Sequence, residues 1–85
     1  MSRFQADLTV NLHNMTGEAA LWRLKRTLEP GHYRGKTVLV IHGFGKGVLR
    51  ETVRAWAKKS PLVKSVWPGE DYFLDGGGGV TALFL

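Results

Sequence analysis

The sequence predicts an α/β fold, a βαβαββ two-layer sandwich whose four-stranded mixed sheet carries two helices on one face. Three observations predict it. Val38 to Ile41 is an unbroken aliphatic run with three β-branched residues, which suits a strand buried on both faces at the centre of a sheet. Two segments with helical spacing each separate strand-like runs, and both connections are long enough to bring successive strands parallel. The last two strand-like runs are joined by a turn-rich segment and finish the sheet, so two helices remain to cover one of its faces.

In chain order, Asp7 to His13 alternates strictly, with Leu8, Val10 and Leu12 on one side and Asp7, Thr9, Asn11 and His13 on the other. That alternation predicts a half-buried strand with Asn11 and His13 side by side, roughly 7 Å apart. Asn14 to Glu18 reads as a turn into a helix, with Thr16 or Asn14 as N-cap and Glu18 favouring the positive helix start. Ala20, Leu21, Leu24 and Leu28 form the buried stripe, and Pro30-Gly31 ends the helix. Trp22 and Arg26, at i and i+4, are spaced for a cation–π contact.

After the central strand comes His42-Gly43-Phe44-Gly45-Lys46-Gly47. Three glycines at alternate positions allow positive φ and a close approach of backbone N–H groups to a ligand. A second helix follows, with Leu49, Val53, Trp56 and Ala57 toward the core and Arg50, Arg54 and Lys58 aligned at i, i+4 and i+8. A strand, a glycine loop and a helix start in succession form an anion site, and phosphate is the anion expected there. Ser60-Pro61 stops the helix, Leu62 to Trp67 reads as a third strand ended by Pro68-Gly69, and Val80 to Leu85 as the fourth. The four glycines Gly76 to Gly79 read as a segment too flexible to hold a fixed element, a mobile hairpin tip or a point of close approach for nucleic acid.

Composition narrows the function. Residues 1–85 are expected to form a single domain with one modest core. Without cysteine, a disulfide framework, a zinc knuckle and a thiol nucleophile are excluded, and the cytoplasm is the expected compartment. No apolar run approaches the ~20 residues needed to span a bilayer, and the first six residues lack the apolar core of a signal peptide. The net charge of +5 is concentrated: eleven Lys or Arg lie between Arg23 and Lys64 against only Glu29 and Glu51. A basic middle of this kind is an electrostatic footprint for nucleic acid, DNA or RNA. The loop lacks both the dinucleotide glycine spacing and a Ser or Thr after Lys46, which argues against a nucleotide-dependent dehydrogenase or ATPase.

The chain resembles the small MutS-related (Smr) domain family. Leu8 to His13 resembles its Leu-Asp-Leu-His signature. The His42 to Gly47 loop with Leu49-Arg50 resembles its His-Gly-x-Gly-x-Gly-x-Leu-Arg signature, and Gly76 to Thr81 its closing Gly-Gly-x-Gly-x-Thr strand. Glu18-Ala19 fits the pair that opens the first helix. The resemblance implies a βαβαββ fold similar to the C-terminal domain of bacterial translation initiation factor three. It also implies endonuclease or nucleic-acid-binding activity, and attachment to or association with a larger repair or ribosome-associated protein. It carries functional roles onto His13, His42, Gly43 and Gly45. Asn11 stands where the signature has aspartate, and Asn14 where it has glycine.

Two expectations follow. In the first, His13 and His42 share proton transfer as histidines, whose unperturbed pKa lies near neutrality. Asn11 positions a reacting group, while Lys46 and the N–H groups of Gly43, Gly45 and Gly47 stabilise the phosphate, and Arg50, Arg54 and Lys58 track the polynucleotide backbone. This chemistry requires no cofactor and no metal ligands are assigned, although a divalent ion is compatible with it; Asp7 lies roughly 13 Å from Asn11 along the strand. In the second, the domain is a non-catalytic nucleic-acid-binding module, because an amide cannot act as a base or neutralise a metal as the signature carboxylate would.

Overall fold

The computed structural model describes residues 5–44 and 47–85. Strands β1 (Leu8–Asn11), β2 (Thr37–Ile41), β3 (Ser65–Pro68) and β4 (Val80–Phe84) form one sheet in the order β1-β2-β4-β3. Helices α1 (Gly17–Leu28) and α2 (Val48–Lys59) follow β1 and β2. β1 and β2 pair in parallel, while β4 runs antiparallel to both β2 and β3. The predicted α/β sandwich is the observed one, with β4 inserted between the second and third strands.

The helices cover the sheet face that carries Val10, Val38, Val40 and Leu83. These side chains are buried with Leu12, Ala20, Leu24, Leu28, Val53, Ala57 and Leu85 in a single core. Thr16 caps α1 by accepting the Ala19 N–H at 3.2 Å, and Glu18 lies in the first turn beside the positive end. Arg26 sits 5.1 Å from the centroid of the Trp22 ring. On the opposite sheet face Trp67 stacks on Tyr72 with centroids 4.4 Å apart and meets Phe84 at 4.5 Å.

Two elements differ from the sequence reading. Leu62 and Val63 are not in β3. A turn in which Ser60 accepts both the Leu62 N–H, at its Oγ, and the Val63 N–H, at its carbonyl, packs them against the core, and pairing with β4 begins at Lys64. The glycine segment is a fixed element: Gly77–Gly79 forms a 3-10 turn, and Gly79 is buried. Its order comes from partners remote in sequence. The Gly79 carbonyl accepts the N–H groups of His42 and Gly43 at 3.0 and 2.9 Å, and a Cβ on Gly69 would collide with the carbonyl of Gly77.

Parallel pairing of β1 with β2 places the β1–α1 and β2–α2 loops at the same end of the sheet, where Asn11 pairs with Ile41. The register Ile41 to Val80 and Pro68 to Thr81 brings the glycine turn to that end as well. Three segments that carry the sequence signatures therefore meet at one edge. Among the described residues no helix is long and apolar enough to cross a membrane.

Candidate nucleic-acid interface

The edge contains a cleft of about 330 Å³ lined by residues of both loops, among them His13, Thr16, Gly43, Phe44, Gly47 and Arg50. β1 ends because the Asn11 side chain accepts the His13 N–H at 2.9 Å, which turns the chain out of the sheet. Asn11 and His13 are thus not neighbours on a strand face. Asn14 follows with φ of 70°, a left-handed conformation that glycine and asparagine tolerate best, so glycine in the family signature and asparagine here satisfy the same backbone requirement. His13 is left exposed with its ring against Gly43. Gly43 has φ of 82°, and a Cβ there would lie 2.5 Å from His13 Cδ2.

His42 occupies a different station. It is only 3% exposed, and both ring nitrogens are engaged: Nδ1 lies 3.0 Å from the Gly43 carbonyl and Nε2 2.9 Å from Thr81 Oγ1. A carbonyl only accepts, so Nδ1 carries the proton and Nε2 accepts from the Thr81 hydroxyl. The same hydroxyl oxygen accepts from Arg54 Nε at 2.8 Å. The network therefore runs in one direction, from guanidinium to hydroxyl to imidazole to carbonyl. Burial lowers the His42 pKa below its ordinary value, opposed by the hydrogen bond to Gly43 and assisted by the positive charges of Arg54 and Arg50. Burial and the two hydrogen bonds to Gly43 and Thr81 favour the neutral imidazole.

Arg54 is committed to the same network. Its side chain is 12% exposed and makes a bidentate pair with Glu70, at 2.8 and 2.7 Å, plus a bond to the Val80 carbonyl at 3.3 Å. The Arg54 hydrogen bonds hold the Glu70 carboxyl down to about 2. The basic stripe on α2 is thereby divided. Lys58 is exposed farther along α2, on a surface it shares with Glu70 and Asp71, and Arg50 alone of the three lines the cleft. The Arg50 Nε is buried without a hydrogen-bond partner among the described residues, and Glu51 approaches it only to 3.8 Å.

Gly47, with φ of 80°, is the N-cap residue of α2, and no side chain among the described residues caps the helix. The N–H groups of Val48, Leu49 and Arg50 precede the first intrahelical acceptor, since Glu51 is the first to bond back, to Gly47 at 2.9 Å. A helix start that no described side chain caps, the Arg50 side chain and an exposed imidazole thus line one cleft. Gly45 and Lys46 lie outside the described residues. No group of three or more His, Cys, Asp or Glu stands close enough to hold a metal ion among the described residues.

The Smr domain family profile matches residues 10–85. The chain belongs to the Smr domain family. It is 37% identical over 82 residues to a protein of Clostridium perfringens named endonuclease MutS2, covering 95% of this chain and 10% of that protein. It is likewise 37% identical over 78 residues to the endonuclease MutS2 of Aquifex aeolicus, covering 91% of this chain and 10% of that protein. The crystal structure of the Smr domain of Thermus thermophilus MutS2 superposes with a TM-score of 0.75 at 33% identity, over 91% of this chain and 95% of that one. The chain therefore spans about a tenth of the length of these full-length relatives and nearly all of an isolated Smr domain.

Within this Smr domain, sequence reasoning missed Thr81, Glu70 and Phe44. Thr81 lies in the closing signature, and its position inside an otherwise apolar strand was the available signal; the Glu70 partnership with Arg54 has no local signature.

Proposed function

We propose that this Smr domain binds a polynucleotide by its phosphate backbone in the cleft between the β1–α1 loop and the start of α2, and that it acts there as an endonuclease domain. The observation that carries the reading is the convergence on one cleft of exposed His13, Arg50, whose Nε has no hydrogen-bond partner among the described residues, and the start of α2, which no described side chain caps. A phosphodiester seated there meets N–H donors and a guanidinium, the groups that stabilise negative charge building on a phosphate. His13 then accepts the proton of the attacking water or 2′-hydroxyl as the new P–O bond forms, and the scissile P–O bond breaks with the leaving oxygen taking its proton from solvent. Lys46, with Gly45, belongs to the same loop and adds a further cation to the reading. Arg54 and His42 hold the loop in position instead of touching substrate.

The names of the MutS2 relatives make phosphodiester cleavage the activity to test. That this chain matches about a tenth of each of them supports a domain that works as part of, or alongside, a larger protein. A second reading, binding without cleavage, is favoured by Asn11. The family signature has a carboxylate there, and here the amide is spent on the His13 N–H.

Labelled single-stranded RNA and supercoiled DNA are incubated with the domain in Mg²⁺, Mn²⁺ or EDTA, beside His13→Ala and Arg50→Gln. The expected result is cleavage that falls about 10²-fold or more in His13→Ala, with binding that weakens linearly in log salt. Salt-dependent binding without products supports the binding module. Equal cleavage by His13→Ala overturns the catalytic assignment, and binding insensitive to salt overturns backbone recognition.

A further inference from the structure

Phe44 is 64% exposed and lines the cleft. A lone exposed phenylalanine is ordinary on a protein surface, but this one is bedded. A Cβ on Gly78 would lie 3.5 Å from ring carbon Cε1, and one on Gly79 would lie 3.2 to 3.5 Å from Cε2, Cδ2 and Cζ. The ring therefore rests on Gly78 and Gly79, closely enough that a side chain at Gly79 would crowd it, while most of its surface stays open to solvent. The ring is oriented before any ligand arrives. Arg50 reaches the same bed, with Nη1 3.5 Å from the Cβ position of Gly78. His13 packs on Gly43, the residue before Phe44.

We propose that Phe44 is a stacking platform for an unpaired base, so that the domain takes a strand containing at least one unstacked nucleotide in preference to continuous duplex. The inference rests on the phosphate-backbone reading above. A phosphate held by Arg50 and the α2 start leaves its attached nucleoside beside the ring, and a flat aromatic face accepts any base without hydrogen-bond readout. In a continuous duplex every base is already stacked and paired, and its faces cannot reach the ring without extrusion. The glycine turn is thereby given a function: it supports the underside of the platform.

The experiment measures fluorescence anisotropy at low salt with a labelled single-stranded DNA, the same sequence as RNA, and the corresponding DNA duplex, for wild type, Phe44→Leu and Phe44→Trp. Phe44→Leu is expected to weaken both single strands about tenfold or more while changing duplex binding less than about twofold; Phe44→Trp is expected to retain single-strand binding. A single strand carrying 2-aminopurine is expected to lose fluorescence on binding wild type, a readout independent of whether the leucine variant folds. Equal losses on strand and duplex, or an unchanged Phe44→Leu with unquenched 2-aminopurine, overturn the stacking platform alone. If wild type binds none of the three probes, the phosphate-backbone reading falls and the platform with it. The RNA and DNA arms show which sugar the site takes.

Discussion

Replacing Thr81 by valine removes one hydroxyl and almost no volume, and it tests whether the edge of this sheet is held by polar bonds or by packing. Thr81 is fully buried, and its oxygen is bound by both His42 Nε2 and Arg54 Nε, at 2.9 and 2.8 Å. Thr81→Val leaves the imidazole acceptor and one guanidinium donor without partners. Each unsatisfied buried group costs roughly 1–3 kcal/mol, and the valine methyl returns part of that. Arg54 keeps its bonds to Glu70 and Val80, which places the net loss at about 2–4 kcal/mol. For a domain of this size the melting temperature should fall by roughly 10–25 °C, a large part of a total stability of about 5–15 kcal/mol. Thr81→Ser keeps the hydroxyl and deletes a buried methyl, which costs about 1 kcal/mol. Thermal and urea unfolding of the three proteins give the order wild type, serine, valine. A valine variant as stable as the serine variant, or more so, would falsify the network, because packing alone predicts the order wild type, valine, serine.

The remaining predictions concern charge, backbone and the signature position. Because burial holds the His42 pKa below that of the unfolded chain, its contribution is complete above the ordinary value of 6.5 and is lost as pH falls below it; melting curves from pH 8 to 5 should show this decline, and His42→Gln should flatten it. Glu70, lowered from 4.5 to about 2 by Arg54, adds a second loss of stability across that lower interval, which Glu70→Gln should abolish in acid titrations followed by circular dichroism. Gly43→Ala forces a side chain into a left-handed conformation and against the His13 ring, costing roughly 1–2 kcal/mol; an altered His13 ring resonance and weakened strand binding are expected, and an unchanged resonance counts against the contact. Asn11→Asp keeps an acceptor for the His13 N–H and should leave stability within about 0.5 kcal/mol while raising cleavage at least severalfold; an unchanged rate would mean that the chemistry uses no carboxylate at that position.

Much of the architecture was legible because it is encoded locally. Thr16 and Pro30 bracket α1, the Val38 to Ile41 run announces the central strand, and apolar spacing selects the buried faces of both helices. What was not legible depends on contacts between distant segments. Four consecutive glycines carry no local preference, and their order comes from His42, Gly43, Gly69 and Phe44. The i, i+4, i+8 spacing placed Arg50, Arg54 and Lys58 on one face of α2 but could not show that Glu70, sixteen residues after Arg54, would claim its guanidinium. Nor could spacing distinguish two histidines at equivalent strand ends, since the difference lies in Thr81, which reaches His42 from the inserted β4.

That insertion explains the division of labour at the edge. β4 runs between β2 and β3, so the residues that open it, Gly79 to Thr81, lie directly behind the β2–α2 loop. From there they take the N–H groups of His42 and Gly43 on one backbone carbonyl and the His42 ring on one hydroxyl. A loop fixed from behind can present Gly43 without a side chain of its own, and a site built on a rigid support loses less on binding than one that must order itself. The conformational requirement of the loop is met by His42, which is buried at the wall of the cleft, and by Thr81, Arg54 and Glu70, which do not line it. His13 and Phe44 are exposed and Arg50 lines the cleft with its Nε buried, and none of the three belongs to the hydrogen-bond network behind the loop. Substitutions in the first group should act on stability and only through it on binding, whereas those in the second should change binding in a domain that still folds.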